Sequence, residues 1–275
     1  MSKFQSVPVD ESALKGRFTG PLILSILAAS FGSSFIFGYN IGCINSAGDT
    51  IKRWIAESLE YKPTNFTSNE YSSDEEFLKN LSDEQKENME SIWSLVVSLF
   101  PLGAIFGGVM TGLVADKFGR KGGMLINNIL TFAGGLPMFL SKASGSHYLL
   151  YVGRFIIGLN CGLNSGLAPM YLTEISPVNY RGLLGTVNQL LVTIAILVSN
   201  ILGLESLWGN ASTWIYLLGF TMVPAVYQLI ALPFCPESPR YLLITKGRDD
   251  SARNGRSFFP KSGTGHSDGH FCPQI

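Results

Sequence analysis

Gln189, Thr193 and Asn200 stand four and seven residues apart, and Asn188 lies beside the first of them. On a helix this spacing puts the three on one face. They offer two carboxamides and a hydroxyl, groups that donate and accept hydrogen bonds without carrying charge. Such a set performs no covalent step. Its chemistry is reversible capture of a neutral polyol, or hydrogen bonding to neighbouring helices, and from residue type the two readings stand level. Tyr39 and Asn40 in Phe37-Gly38-Tyr39-Asn40-Ile41-Gly42, then Asn45, Asn160 and Asn164, add further uncharged polar groups to apolar surroundings. Arg154 is the exception in charge. Near the end of an apolar run it is expected to pair or to reach the interface, as a structural anchor.

The elements that must hold these groups are membrane spans. Residues 18–48, 91–115, 122–141, 155–173, 182–204 and 206–236 contain no Asp, Glu, Lys or Arg, and together they make up more than half of the 275 residues. A soluble helix cannot remain uncharged all round, since its outer face must be hydrated, and about 20 apolar residues cross a bilayer. The expectation is six spans, near 21–43, 92–114, 122–141, 148–170, 183–204 and 212–234. Polar groups inside them must meet protein partners or a watery cavity. Lys and Arg concentrate in alternate connections: three before the first span, three in 115–121, one in 171–182 and six after 236, against one in 142–147 and none in 205–211. Basic short connections stay cytoplasmic, so both termini are read as cytoplasmic. The domain reading is a cytoplasmic N-terminus over 1–20, a six-span bundle over 21–236, and a cytoplasmic tail over 237–275.

The connection over 44–90 then lies outside. It holds eleven Asp/Glu against five Lys/Arg and two glycosylation sequons, at Asn65 and Asn80, and acceptor sites belong on exposed exoplasmic loops. Asn210 begins a third match close to the membrane, where it is not expected to be used. Small residues recur in line at Gly38/Gly42, Gly103/Gly107, Gly108/Gly112 and Gly158/Gly162/Gly166. Such rows let helix backbones approach, because packing replaces the missing hydrophobic force in lipid. No span has a carboxylate at its middle, and a proton-coupled carrier needs a titratable group in its pathway.

Four segments carry a family resemblance. Gly112-Leu-Val-Ala-Asp116-Lys117-Phe-Gly119-Arg120-Lys121 resembles the G-x-x-x-D-K/R-x-G-R-K/R signature of the major facilitator superfamily. GRFIIGLNCGL at 153–163, PMYLTEISPVNYRGLLGTVNQL at 169–190 and PESPRYLL at 236–243 resemble signatures of its sugar porters, in particular the animal facilitative glucose transporters. The resemblance covers about residues 18–250 in order. It implies an all-α membrane protein, the six-transmembrane-helix N-terminal half of a major facilitator fold built from two inverted three-helix repeats. It also implies hexose transport by alternating access. Gln189 would hydrogen-bond the sugar, with Asn188, Thr193 and Asn40 as further substrate-binding residues. Asp116, Arg120, Lys121, Glu174, Arg181, Glu237 and Arg240 would form a cytoplasmic gate, with Gly112, Gly119 and Arg154 structural. Proton-coupled sugar porters commonly carry Asp where this sequence has Asn40, which agrees with uniport.

Family members have twelve spans in two halves, so the sequence is expected to supply one wall of a site lying between halves. From about residue 251 it leaves the family pattern, becomes rich in Gly, Ser and His, and is expected to be disordered. His266 and His270 there are read as fortuitous. Cys43, Cys161, Cys235 and Cys272 have no ligand spacing, so no metal is expected, and neither is a cofactor. With no nucleophile elbow or phosphate loop, enzymatic function has no positive support. A net charge of zero offers no basic surface to nucleic acid. The expected partners are hexose, the lipid bilayer, and either a second copy or a full-length transporter. The last defines the alternative reading, a non-transporting six-span protein that regulates a complete carrier.

Overall fold

A chain segment in hydrocarbon must satisfy its own backbone N–H and C=O groups, and an α-helix does so internally. The computed structural model describes residues 20–61, 73–177 and 180–244, and all its regular elements are helical. They are α1 Gly20–Ser46, α2 Gly48–Ser58, α3 Asp74–Lys79, α4 Asp83–Phe118, α5 Arg120–Ser144, α6 Tyr148–Ile175, α7 Arg181–Leu202, α8 Trp214–Phe234 and α9 Pro239–Ile244. Six of these coincide with the six expected spans. Five are long and apolar enough by composition to cross a membrane. The sixth, α6, has 28 residues and carries buried Arg154, Asn160 and Asn164. The tail beyond 251, with His266, His270 and Cys272, lies outside the described residues, as does Asn65.

Glycine sets which helices touch. A Cβ on Gly103 or Gly107 of α4 would collide with the Phe155 or Leu159 carbonyl of α6, and one on Gly158 or Gly162 with the Phe100 or Ala104 carbonyl of α4. Gly38 and Gly42 bring α1 equally close to Val192 and Ser199 of α7. The row Gly108/Gly112 behaves otherwise. Both residues are exposed and nothing lies within 4 Å of a Cβ built on either. The spacing is the same, but α4 turns its other glycine pair toward α6.

Helix α1 is interrupted by a π-turn at Ser30–Ser34. Gln228 of α8 fills the space beside Gly32, where any side chain would strike it. Its Nε2 donates to the Ala28 carbonyl (3.2 Å) and to Ser33 Oγ (2.9 Å). Helix α8 itself breaks at residues 220–221.

The described parts of the 44–90 connection form a folded cap. Helix α4 starts at Asp83, well before the expected residue 92, because Ser82 and Gln85 form a reciprocal capping box. Helix α2 buries Ile51, Ile55 and Ala56 against the bundle. Trp54 packs on Trp214 of α8 with ring centroids 5.1 Å apart, and Thr50 Oγ1 donates to the Gly209 carbonyl at 2.9 Å. Arg53 ties α2 to α3 through Asp74 Oδ1 at 2.9 Å and lies over the Phe77 ring. One apolar cluster sits at this cap end, around Trp214, Tyr39, Ile51 and Phe100. Another, around Leu22, Met124, Leu167 and Leu232, fills the opposite end.

Candidate functional site

At about 100° per residue, α7 divides into three sectors. Leu184, Asn188, Val192, Ala195 and Ser199 form the sector packed on α1, with Asn188 half-buried and the rest buried. Leu183, Leu190, Ile194, Leu197 and Ile201 form an exposed apolar sector. Between them lie Thr186, Gln189, Thr193 and Asn200, all exposed and all polar. The apolar sector suits lipid. A carboxamide facing lipid would leave hydrogen-bonding groups unpaired, so the polar sector needs water, a ligand or protein.

Gln189 and Thr193 therefore come together on one open face, one turn apart. The Thr193 hydroxyl donates to the Gln189 backbone carbonyl at 3.1 Å, and the Gln189 carboxamide has no hydrogen-bond partner among the described residues. Asn188 points elsewhere: its Oδ1 accepts from Ser34 Oγ, in the π-turn of α1.

The structure does not bring Asn40 to that face. It is fully buried in α1, with Nδ2 donating to the Ile36 carbonyl (2.9 Å) and Oδ1 accepting from Thr221 Oγ1 of α8 (3.2 Å). Its backbone carbonyl accepts from Arg154 Nη1 at 3.2 Å. Arg154 is 1% exposed and lies 4.5 Å over the Phe100 ring. It gains a carbonyl and a cation–π contact in place of a route to the interface. Among the described residues, no carboxylate lies within ion-pair distance of it.

Asn160 is likewise internal. Its Nδ2 donates to the Asn127 carbonyl (2.8 Å) and Thr131 Oγ1 (2.9 Å) of α5, Asn127 Nδ2 returns a bond to the Asn160 carbonyl (3.0 Å), and Asn164 donates to Asn160 Oδ1 (3.3 Å). For these amides, helix-to-helix bonding accounts for the residue type. Sequence reasoning missed Gln228, although a lone glutamine in the apolar run Val226-Tyr-Gln-Leu-Ile230 was the available signal.

At the end opposite the cap, charged residues gather where α4, α5, α6, α8 and α9 meet. Arg120 Nη2 donates to Glu174 Oε1 at 3.1 Å, and Nε lies 3.0 Å from Oε2. Ser238 Oγ donates to the same carboxylate. Glu237 Oε1 accepts from the backbone N–H groups of Lys121 (3.0 Å) and Ser238 (2.9 Å). Lys121 Nζ donates to the carbonyls of Pro233 (2.8 Å) and Cys235 (2.7 Å), neutralising the end of α8.

Gly119 makes the corner. Its φ is +82°, and a Cβ there would lie 2.6 Å from Glu237 Oε2 and 2.8 Å from the Tyr241 ring, so both conformation and space demand glycine. Gly119 is thus a fixed turn, in keeping with a structural residue. Gly112 makes no comparable approach. Asp116 reaches Arg120 only at 3.8 Å, from an exposed position. Arg181 and Arg240 are exposed and have no ion pair among the described residues. The seven expected charges therefore separate into a locked core of Arg120, Lys121, Glu174 and Glu237, and an outer set of Asp116, Arg181 and Arg240.

Of the sequons, Asn80 is half-buried and donates to the Glu76 carbonyl at 3.0 Å, while Ser82 caps α4. Asn210 Oδ1 accepts from the N–H and Oγ of Ser212 and from the N–H and Oγ1 of Thr213.

A family model described as sugar (and other) transporter matches residues 25–264. Facilitated glucose transporter protein 1 of Caenorhabditis elegans is 44% identical over 239 residues, 87% of this chain and 43% of that protein. Solute carrier family 2, facilitated glucose transporter member 4 of Homo sapiens is 42% identical over 242 residues, 86% of this chain and 44% of that protein. Among solved structures, the major facilitator superfamily proton:xylose symporter XylE bound to 6-bromo-6-deoxy-D-glucose matches with a TM-score of 0.67 and 25% identity, over 86% of this chain and 49% of that one. The chain spans about half the length of these relatives. With six span helices in the arrangement of a major facilitator's N-terminal half, this integral membrane chain belongs to the sugar transporter family.

Proposed function

We propose that this chain forms the N-terminal wall of a carrier that moves hexose, glucose foremost, down its gradient by alternating access. The observation that carries the reading is the uncharged polar sector of α7, open beside a sector suited to lipid. Gln189 donates to and accepts from sugar hydroxyls there, and Thr193 adds a hydroxyl one turn away. Asn188 supports Gln189 from behind, through Ser34. Asn40 enters as a core contact, since its carboxamide is already shared between Ile36 and Thr221. The similar proteins named as facilitated glucose transporters agree in substrate class.

Uniport is supported by the surroundings of Arg154, whose partners are a backbone carbonyl and a ring where proton coupling would call for a titratable acid. In this reading the charge cluster faces the cytoplasm and the cap faces outside, as the Lys and Arg distribution favours. The locked core of Arg120, Lys121, Glu174 and Glu237 closes the cytoplasmic end of this half. Arg181, Arg240 and Asp116 remain available to make and break contacts with a second half during the cycle.

The test is reconstitution of the chain in liposomes containing a pH-sensitive dye. The expected result is D-glucose binding or saturable uptake that L-glucose does not compete for, with no internal acidification. Replacing Gln189 with Ala removes about one hydrogen bond, worth roughly 0.5–1.5 kcal/mol, and should weaken D-glucose affinity about 2- to 10-fold. Neither binding nor uptake, or unchanged affinity in Gln189→Ala, rejects the sugar site. A sugar-driven proton flux rejects uniport alone.

A further inference from the structure

The polar sector of α7 is too long for a single sugar. Asn200 lies fourteen residues beyond Thr186, about 21 Å at 1.5 Å per residue, whereas Gln189 and Thr193 are separated by one turn, about 5.4 Å of pitch. Asn200 lies eleven residues beyond Gln189. That is close to three full turns, so it returns to the same face about 16 Å nearer the cap. Its side chain is exposed and has no hydrogen-bond partner among the described residues.

The neighbouring helix presents a matching group. Ser199, next to Asn200, is where α1 touches α7: Ser46 Oγ donates to the Ser199 carbonyl at 3.4 Å, and Gly42 leaves room for the Ser199 side chain. Asn45 precedes Ser46 in sequence and is exposed. Its Nδ2 donates to the Ile41 carbonyl at 3.3 Å, which leaves its Oδ1 and a second N–H unspent. Two carboxamides thus flank one helix contact, at the cap end of a polar stripe. On the far side of the stripe, Leu197 and Ile201 belong to the apolar sector.

We propose that Asn200 and Asn45 form a second, cap-end subsite for a neutral polyol of the hexose class, separate from Gln189. The proposal rests on the reading of Gln189 as a sugar-binding residue and adds a station before it. A sugar arriving from the cap side exchanges hydrogen bonds with water for bonds to these carboxamides, then moves down the stripe to Thr193 and Gln189.

The experiment is thiol modification of Asn200→Cys and, separately, Asn45→Cys and Gln189→Cys, in the full chain reconstituted in liposomes, with a charged water-soluble reagent. The parent chain controls for its own cysteines. Asn200→Cys and Asn45→Cys are expected to react. D-glucose at about ten times its half-protecting concentration should slow them roughly tenfold, following 1 + [L]/Kd, and L-glucose should not. Protection should survive when Gln189→Ala is added to Asn200→Cys. Protection of Gln189→Cys without protection of the two asparagine positions overturns the subsite and leaves the Gln189 reading standing. Loss of protection at Asn200→Cys upon Gln189→Ala also overturns it, because one site then explains both. Unreactive thiols at both asparagine positions mean that they are sealed against protein, which overturns it as well. No protection anywhere removes the subsite and the sugar reading together.

Discussion

Arg120 and Glu174 form the most buried ion pair among the described residues, both taken out of water together. Their side chains are 12% and 8% exposed, and the guanidinium presents two nitrogens to the carboxylate. Breaking such a pair leaves one buried charge uncompensated, at a cost of about 3–5 kcal/mol. Glu174→Gln should therefore lower the unfolding midpoint of the detergent-solubilised chain markedly, as thermal denaturation can measure. Arg181→Ala and Arg240→Ala, at exposed positions without ion pairs among the described residues, should shift stability by no more than about 0.5 kcal/mol. A large loss in either would contradict the division into a locked core and an outer set. The sequence motifs named these charges together, but residue type could not separate the paired Arg120, Lys121, Glu174 and Glu237 from Arg181 and Arg240, which have no ion pair among the described residues. Residue type is equally silent on which way an amide points. Gln189 and Asn40 both looked like sugar ligands, yet one lies on an open face and the other inside a helix packed nearly all round.

Helices were legible as elements because hydrocarbon forbids charge, so every span announced itself as a charge-free run. Their contacts were less legible. Gly103/Gly107 and Gly108/Gly112 present identical spacing on α4, and only at the first pair would an added Cβ strike another helix. Introducing a β-branched side chain should separate them. Gly107→Val would drive carbon into the Leu159 carbonyl and should cost about 1–3 kcal/mol, the usual penalty for overpacking, while Gly112→Val should be close to neutral. Equal effects in a denaturation series would show that α4 is rotated relative to the arrangement described. The cap was illegible for a different reason. Helices α2 and α3 carry charge, so no charge-free run marks them, although Ile51, Trp54 and Ile55 recur at helical spacing in α2; they are stabilised by tertiary contacts such as Trp54 on Trp214 and Arg53 with Asp74.

The molecule as a whole has two chemically different ends, one with a cap carrying acidic residues and sequons, the other with a basic corner. The proposed orientation makes a direct prediction. In eukaryotic cells the chain should carry N-linked glycan, and Asn65→Gln with Asn80→Gln should abolish the mobility shift produced by enzymatic deglycosylation. A shift that persists would point to Asn210, whose acceptor oxygen is occupied by Ser212 and Thr213. No shift in the unsubstituted chain would undercut the sequon argument for topology and leave it to the charge distribution.

The four tryptophans show the same polarity in another way. Trp54 stacks on Trp214, Trp93 lies beneath Lys52, and Trp208 leans on Phe220, so every indole in the 275 residues gathers toward the cap. Tryptophan emission from the unlabelled protein is therefore a one-ended gauge: it will register events near the cap, while the opposite pole, with tyrosines such as Tyr171 and Tyr241 but no indole, adds nothing to it.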